Sequence, residues 1–196
     1  NKKIKKLRSI FKKYNIEGYV VPKNDEFFSE YAAVNRLKTI SNFTGSAGLA
    51  IILKKKNYLF VDGRYTHQAK KQSGKNFKII EIHKYLPKKI IKTLKLGIDP
   101  SLFTHKNLKV YFDKKFKIVE IKENLIDKIY SERKKNVNKI FSLPNKITGQ
   151  SHISKINKIK KFLQDNKCNY LFISAPENVA WILNIRGWDN PNSPIS

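Results

Sequence analysis

The sequence of 196 residues contains a single cysteine, Cys168. One thiol excludes an internal disulfide and any Cys-rich metal cluster. With no histidine or basic nest beside it in sequence, Cys168 reads as a buried thiol and not as a nucleophile. Long apolar runs are missing too: none approaches the roughly 20 residues that span a bilayer. The Lys-rich start, Asn1 to Ile10, is followed by no apolar h-region, which excludes a secretory signal. These absences together point to a cytoplasmic protein with no membrane partner.

Arginine and acid are also scarce. Fifteen Asp and Glu stand against 41 basic residues, of which 36 are Lys and 5 are Arg, giving a formal charge of +26. Such a charge raises a nucleic-acid reading. The lysines are scattered along the whole chain and accompany abundant Asn and Ile, the bias that AT-rich codons produce at tolerant surface positions. Nucleic-acid readers instead concentrate Arg and interleave aromatics on one face. Nucleic acid is therefore the disfavoured partner, and the lysines read as solvated surface.

What is present is a core's worth of apolar residues, 40% of the chain with 12% aromatic, enough to exclude a disordered protein. Ile4, Leu7, Ile10, Phe11 and Tyr14 recur at helical spacing within Lys2 to Tyr14. Tyr19 to Val21 reads as a short buried strand ended by Pro22. Lys23 to Tyr31 is polar and acidic, a loop entering a short helix. The runs Leu49 to Leu53 and Tyr58 to Val61, separated by Lys54 to Asn57, predict a hairpin. Asp62 is placed to cap a helix over Gly63 to Gln72. Strands at Phe77 to Ile82, Leu96 to Asp99 and Lys117 to Ile121 then alternate with helices near Lys88 to Leu94, His105 to Lys114 and Leu125 to Arg133. The alternation implies an α/β fold, and the hairpin implies a mixed sheet flanked by helices.

From Ser131 to Ser142 the pattern weakens, as in a domain linker. A second unit follows, with an amphipathic helix from Ser151 to Gln164, a strand from Tyr170 to Ser174 and a helix opened by Pro176. Its roughly 50 residues are too few for an independent core, so the unit reads as incomplete. The domain layout is 1–135, a linker at 136–145, and a partial second domain at 146–196.

No catalytic constellation emerges from the residues. The Gly45-Ser46-Ala47-Gly48 run lacks the spacing of a phosphate-binding loop and of a nucleophile elbow; it reads as a tight turn feeding the Leu49 strand. His67, His83, His105 and His152 stand at no metal-ligand spacing. Asp62-Gly63-Arg64-Tyr65 is the more pointed feature. It ends a strand, where α/β proteins gather ligand contacts, and it spends a rare arginine, whose planar fork lysine does not replace. Arg64 either binds a ligand or pairs with Asp62 or another local carboxylate. The same thought applies to Arg36 and Arg186.

Eight stretches in fixed order resemble the amino-terminal region of Xaa-Pro aminopeptidases of the creatinase/prolidase superfamily. They include Val21-Pro22-Lys23-Asn24-Asp25-Glu26, Ser29-Glu30-Tyr31, Phe43-Thr44-Gly45-Ser46-Ala47-Gly48, Asp62-Gly63-Arg64-Tyr65-Thr66-His67-Gln68-Ala69 and Ala180-Trp181-Ile182-Leu183-Asn184-Ile185-Arg186-Gly187. Where members often carry an Asp, a Trp and a Gly before the Thr-Gly-Ser-Ala-Gly run, this sequence has Asn35, Thr39 and Asn42.

The resemblance implies a creatinase-like first domain followed by the start of a similar second one. It also implies a parent enzyme that removes the residue before a proline at position two. In such enzymes a carboxy-terminal "pita-bread" domain, absent from this segment, holds two divalent metals, usually manganese, and the segment alone is expected to be inactive. Dimerisation and gating of the active-site entrance are the implied tasks of the first domain. Arg64 is the implied substrate-binding residue, with Glu30 a second one at the same entrance. The competing function is a non-catalytic creatinase-fold binding module for nucleic acid or another acidic partner.

Overall fold

A computed structural model describes residues 1–28, 34–92, 95–130, 138–189 and 193–195. The chain divides into two compact units, Asn1–Arg133 and Lys134–Ser196.

In the first unit, the six strand expectations resolve into one six-stranded sheet. Its strands are β1 (Gly18–Pro22), β2 (Gly48–Leu53), β3 (Asn57–Val61), β4 (Lys78–Glu81), β5 (Lys95–Ile98) and β6 (Lys117–Glu120), in the order β4-β3-β2-β1-β5-β6. The β2–β3 hairpin is antiparallel, with Ala50 opposite Leu59, and β2 is also antiparallel to β1. The pairs β3–β4, β1–β5 and β5–β6 are parallel. Five strands thus run one way and β2 alone runs the other, which is the mixed sheet that the hairpin required.

Helices cover both faces, so the central strands are apolar on successive residues. On one face Tyr19, Val21, Ala50, Ile52, Leu59 and Val61 meet α1 (Lys2–Ser9), α2 (Arg36–Ser41), α3 (Thr66–Ser73) and, after two further helices, α6 (Leu125–Ile129). On the other, Val20, Leu49, Ile51, Phe60, Leu96 and Ile98 pack with Leu102, Phe103, Phe112 and Phe116. That side holds α4 (Pro87–Ile90) and α5 (His105–Tyr111). A 3-10 turn at Gly63–Tyr65 leads into α3. The helices are shorter than their periodicity predicts: α1 stops at Ser9, and Asn15, with φ 50, turns the chain into β1.

Caps explain several boundaries. Asn35 accepts from the Lys38 N–H at the start of α2, and Asn42 closes it with φ 67. Asparagine tolerates that left-handed conformation better than other non-glycine residues. Buried Asp99 accepts from the N–H and Oγ of Ser101 and from Nδ2 of Asn124, while Asn124 caps α6 through the Ile126 N–H. Burial holds the Tyr19 phenol well above its usual pKa, and its oxygen accepts from the Leu125 N–H.

The second unit holds β7 (Phe141–Ser142) antiparallel to β8 (Ile185–Arg186), with α7 (Asn145–Thr148), α8 (His152–Asp165) and α9 (Pro176–Leu183). Ser151 caps α8 through the Ser154 N–H. Its centre is polar. The buried Lys155 ammonium donates to the Trp181 carbonyl at 2.7 Å and to Asn184 Oδ1 at 2.6 Å, and lies 4.0 Å from the Trp181 ring centroid. Asn184, left-handed at φ 54, donates in turn to Thr148 Oγ1 and the Gln150 carbonyl.

Two expectations are overturned here. Tyr170 to Ser174 is not a strand, and Tyr170 and Phe172 are 90% and 89% exposed. A strand exists only through a ladder, and among the described residues of this unit β7 and β8 pair only with each other. Cys168 is exposed, not buried. It follows the end of α8, where Lys167 at φ 52 turns the chain outward and the thiol meets only the Asn166 carbonyl.

Candidate functional site

Because β2 runs against its neighbours, the segment entering it and the segment leaving β3 meet at one end of the sheet. That end carries the carboxyl ends of β1, β3, β4 and β5, where ligand sites of open α/β sheets form. Here Thr44 to Ala47 and Asp62 to Gln72, distinct motifs in sequence, form one structure. The Thr44 N–H donates to Gln72 Oε1, while Gln68 and Gln72 both donate to Thr44 Oγ1. Ser46 Oγ and the Tyr65 hydroxyl share a 2.8 Å hydrogen bond. The buried Phe43 ring meets Tyr65 edge-on at 5.9 Å. Gly45 packs against the tip of that same Phe43 ring, where a Cβ would collide with it. The glycine run is thus a packing turn, with its serine used to fix a tyrosine.

Arg64 stands on this frame. Its Nε donates to Asp62 Oδ1 at 2.9 Å, and its guanidinium carbon lies 5.7 Å from the Tyr65 ring centroid. Asp62 also accepts the Arg64 N–H, and its second oxygen lies 3.3 Å from His83 Nε2. These hydrogen bonds from Arg64, then from its backbone and His83, hold the Asp62 carboxyl well below the usual carboxylate range. The same pairing raises the Arg64 guanidinium. The structure therefore shows the local pairing that the sequence allowed. It also leaves both terminal nitrogens of Arg64 unpartnered among the described residues, on a side chain 76% exposed.

Arg36 and Arg186 serve the fold. Arg36 is only 12% exposed; it forks onto Asp127 with bonds of 2.8–3.0 Å and meets Glu26 at 3.5 Å, tying α2 to α6. Burial opposes its charge, but pairing with Asp127 and Glu26 outweighs that and raises its pKa. Arg186 donates to the Ala180 and Ile185 carbonyls, and so serves the end of α9. Glu30, the second sequence-derived candidate, lies outside the described residues. Tyr65, Ser46 and His83, which support Arg64, went unselected in sequence; the signal for Tyr65 was its place beside Arg64, and for Ser46 and His83 there was none. Among the described residues no group of three or more His, Cys, Asp or Glu side chains is arranged to hold a metal ion, and no helix is long and apolar enough to cross a membrane.

Comparison with known proteins identifies this architecture. Residues 3–129 and residues 131–196 each match a family model described as Creatinase/Prolidase N-terminal domain. The chain is 35% identical over 209 residues to the "Probable Xaa-Pro aminopeptidase P" of Laccaria bicolor, covering 98% of this chain and 33% of that protein. It is 34% identical to the Xaa-Pro aminopeptidase 1 of Dictyostelium discoideum, covering 100% of this chain and 35% of that one. Among solved structures it is similar to the X-prolyl aminopeptidase of Caenorhabditis elegans, described as a cytosolic enzyme with a di-nuclear active site. There the TM-score is 0.80 at 27% identity, over 100% of this chain and 36% of that one. The chain thus spans about a third of the length of the curated relatives it matches. It belongs to the creatinase/prolidase N-terminal domain family.

Proposed function

We propose that this chain is the substrate-gating and dimerising portion of a cytoplasmic Xaa-Pro aminopeptidase, a hydrolase that removes the first residue of peptides with proline at position two. The relatives' names and their greater length support this reading. The whole enzyme takes two divalent metal ions, manganese in our proposal. The described residues of this chain do not fit such a centre, so we assign them no step of bond cleavage. Their work is to bind and orient peptide and to wall the entrance, with the first unit as the gating domain and the second as part of the next domain.

One observation carries the proposal: Arg64 is an exposed arginine whose two terminal nitrogens have no hydrogen-bond partner among the described residues. Asp62 fixes Nε, the Tyr65 ring supports the plane, and the two terminal nitrogens point at no partner among the described residues. A guanidinium held in this way loses little freedom when it takes a carboxylate or carbonyl through both nitrogens. Glu30 is proposed as a second substrate contact at the same entrance.

In the complete protein, Arg64→Ala should lower kcat/KM for Xaa-Pro peptides by about tenfold to hundredfold, the worth of one charge-assisted hydrogen bond. Arg64→Lys should recover only part of the loss, because an ammonium does not fork. Steady-state kinetics over a short peptide series checks this, and unchanged kcat/KM in both variants removes Arg64 from the binding site.

A further inference from the structure

Beside Arg64 the end of the sheet is hollow. A cavity of about 350 Å³ opens on the face opposite α3, between the ends of β1, β3 and β4 and the helix α5. That volume lies within the range of small-ligand sites, roughly 300–1,000 Å³. Its walls are largely apolar: Leu49, Phe60, Leu102, Phe103 and Tyr111 among them, with Phe28 at the mouth. Phe28 sits at φ 59, a conformation that a bulky residue rarely adopts. The polar rim and lining comprise Lys23, Asn24, Ser46, Asp62, His83 and Asn107. Two of those rim residues also hold the arginine: Asp62 bonds Arg64 directly, and Ser46 bonds the tyrosine against which Arg64 lies. Asp62 and Ser46 thus link the apolar hollow to the arginine, which does not itself line it.

We propose that this cavity is a specificity pocket for an apolar or aromatic side chain at the C-terminal residue of a short peptide, the one following proline, with that residue's carboxylate paired to Arg64. The proposal rests on the aminopeptidase reading for the peptide's identity and deepens it. Charge complementarity selects the occupant: an apolar side chain alone leaves the fork empty, and an anion alone leaves the apolar walls wet. A C-terminal Phe or Leu residue fills both. Arg64 then acts as a reader of chain end as well as a contact, and the pocket favours tripeptides over longer peptides whose carboxylate lies elsewhere.

The test uses the complete protein and the peptides Gly-Pro-Phe, Gly-Pro-Gly and Gly-Pro-Phe-amide. Burying part of an aromatic ring should give Gly-Pro-Phe roughly a tenfold advantage in kcat/KM over Gly-Pro-Gly, and amidation should remove much of it. Asn107→Trp, at the rim where α5 borders the cavity, should fill the pocket and abolish the preference for Phe over Gly; Asn107→Ala should preserve that preference. Equal cleavage of Gly-Pro-Phe and Gly-Pro-Gly, or a preference that survives Asn107→Trp, overturns the pocket while the aminopeptidase reading stands. If neither peptide is cleaved, the aminopeptidase reading falls, and calorimetric titration with the same peptides decides the pocket. Tighter binding of Gly-Pro-Phe that is lost in Asn107→Trp upholds it, and equal affinities end it.

Discussion

The two units solve the same problem with opposite materials. Among the described residues every fully buried apolar side chain except Ala180 belongs to the first unit, on the two faces of its sheet. The second unit has apolar residues in plenty, but Ile153, Phe162, Tyr170, Phe172, Trp181 and Trp188 are exposed. At its heart is an ammonium, Lys155, held by a carbonyl, an amide and an indole ring. The contrast teaches that apolar content does not make a core. A sheet buried on both faces does, because it presents alternate side chains to two layers of helix at once. Without one, specificity falls to polar networks, which stabilise only while each member is satisfied.

The largest test of this contrast lies in the sheet. Leu59→Ala, at the centre of the hairpin, should cost about 2–5 kcal/mol of unfolding free energy, whereas Phe172→Ala should change it by less than about 0.5 kcal/mol. Denaturant titrations of both variants check this, and comparable losses would erase the distinction between the units. Next comes the polar hub. Asn184→Ala removes an acceptor of the buried ammonium and a residue suited to the left-handed conformation, at a cost of about 1–3 kcal/mol. In that background, Lys155→Met should restore part of the loss, since it removes the stranded charge along with its missing partner. Hydrogen exchange of the α8 and α9 amides would read both effects.

The smallest effect is expected at the site itself. The folded pKa of Asp62 is depressed, so its stabilising contribution is present above the ordinary carboxylate value of about 4 and is lost as pH falls through the folded value. The Asp62–Arg64 pair should therefore hold throughout the neutral and mildly acid range. Asp62→Asn should differ from the unaltered protein at neutral pH and converge with it only under strong acid. Acid titration followed by tyrosine fluorescence would show it; a difference independent of pH would mean that the carboxylate's charge plays no part.

The sequence was most informative where the signal was local and self-sufficient. The hairpin was legible because two apolar runs flank a lysine turn, and Asp62 was legible as a cap because the geometry needs only three consecutive residues. Tyr170 to Ser174 has the composition of a strand, but composition cannot supply the neighbour that a ladder requires. β7 and α7 were missed for the converse reason: Phe141–Ser142 is too short to carry a period, and its partner Ile185–Arg186 lies more than forty residues away. At the candidate site, rarity marked Arg36, Arg64 and Arg186 alike. What separates them, among the described residues, is a partner distant in sequence for Arg36, which is Asp127, and none for the terminal nitrogens of Arg64. No reading of single positions contains that difference.

The one reversed strand has a further consequence. Every contact that seats Arg64 lies between Phe43 and His83, inside a stretch closed by the short β2–β3 turn. Bringing β1 beside β5 closes about twice that span, 78 residues by the Gly18–Leu96 pairing, at roughly 0.6 kcal/mol more chain entropy. The arginine's seat is therefore encoded in a local stretch of chain, and as that chain emerges from the ribosome the pieces of the seat are all present before β5 and β6 have been made.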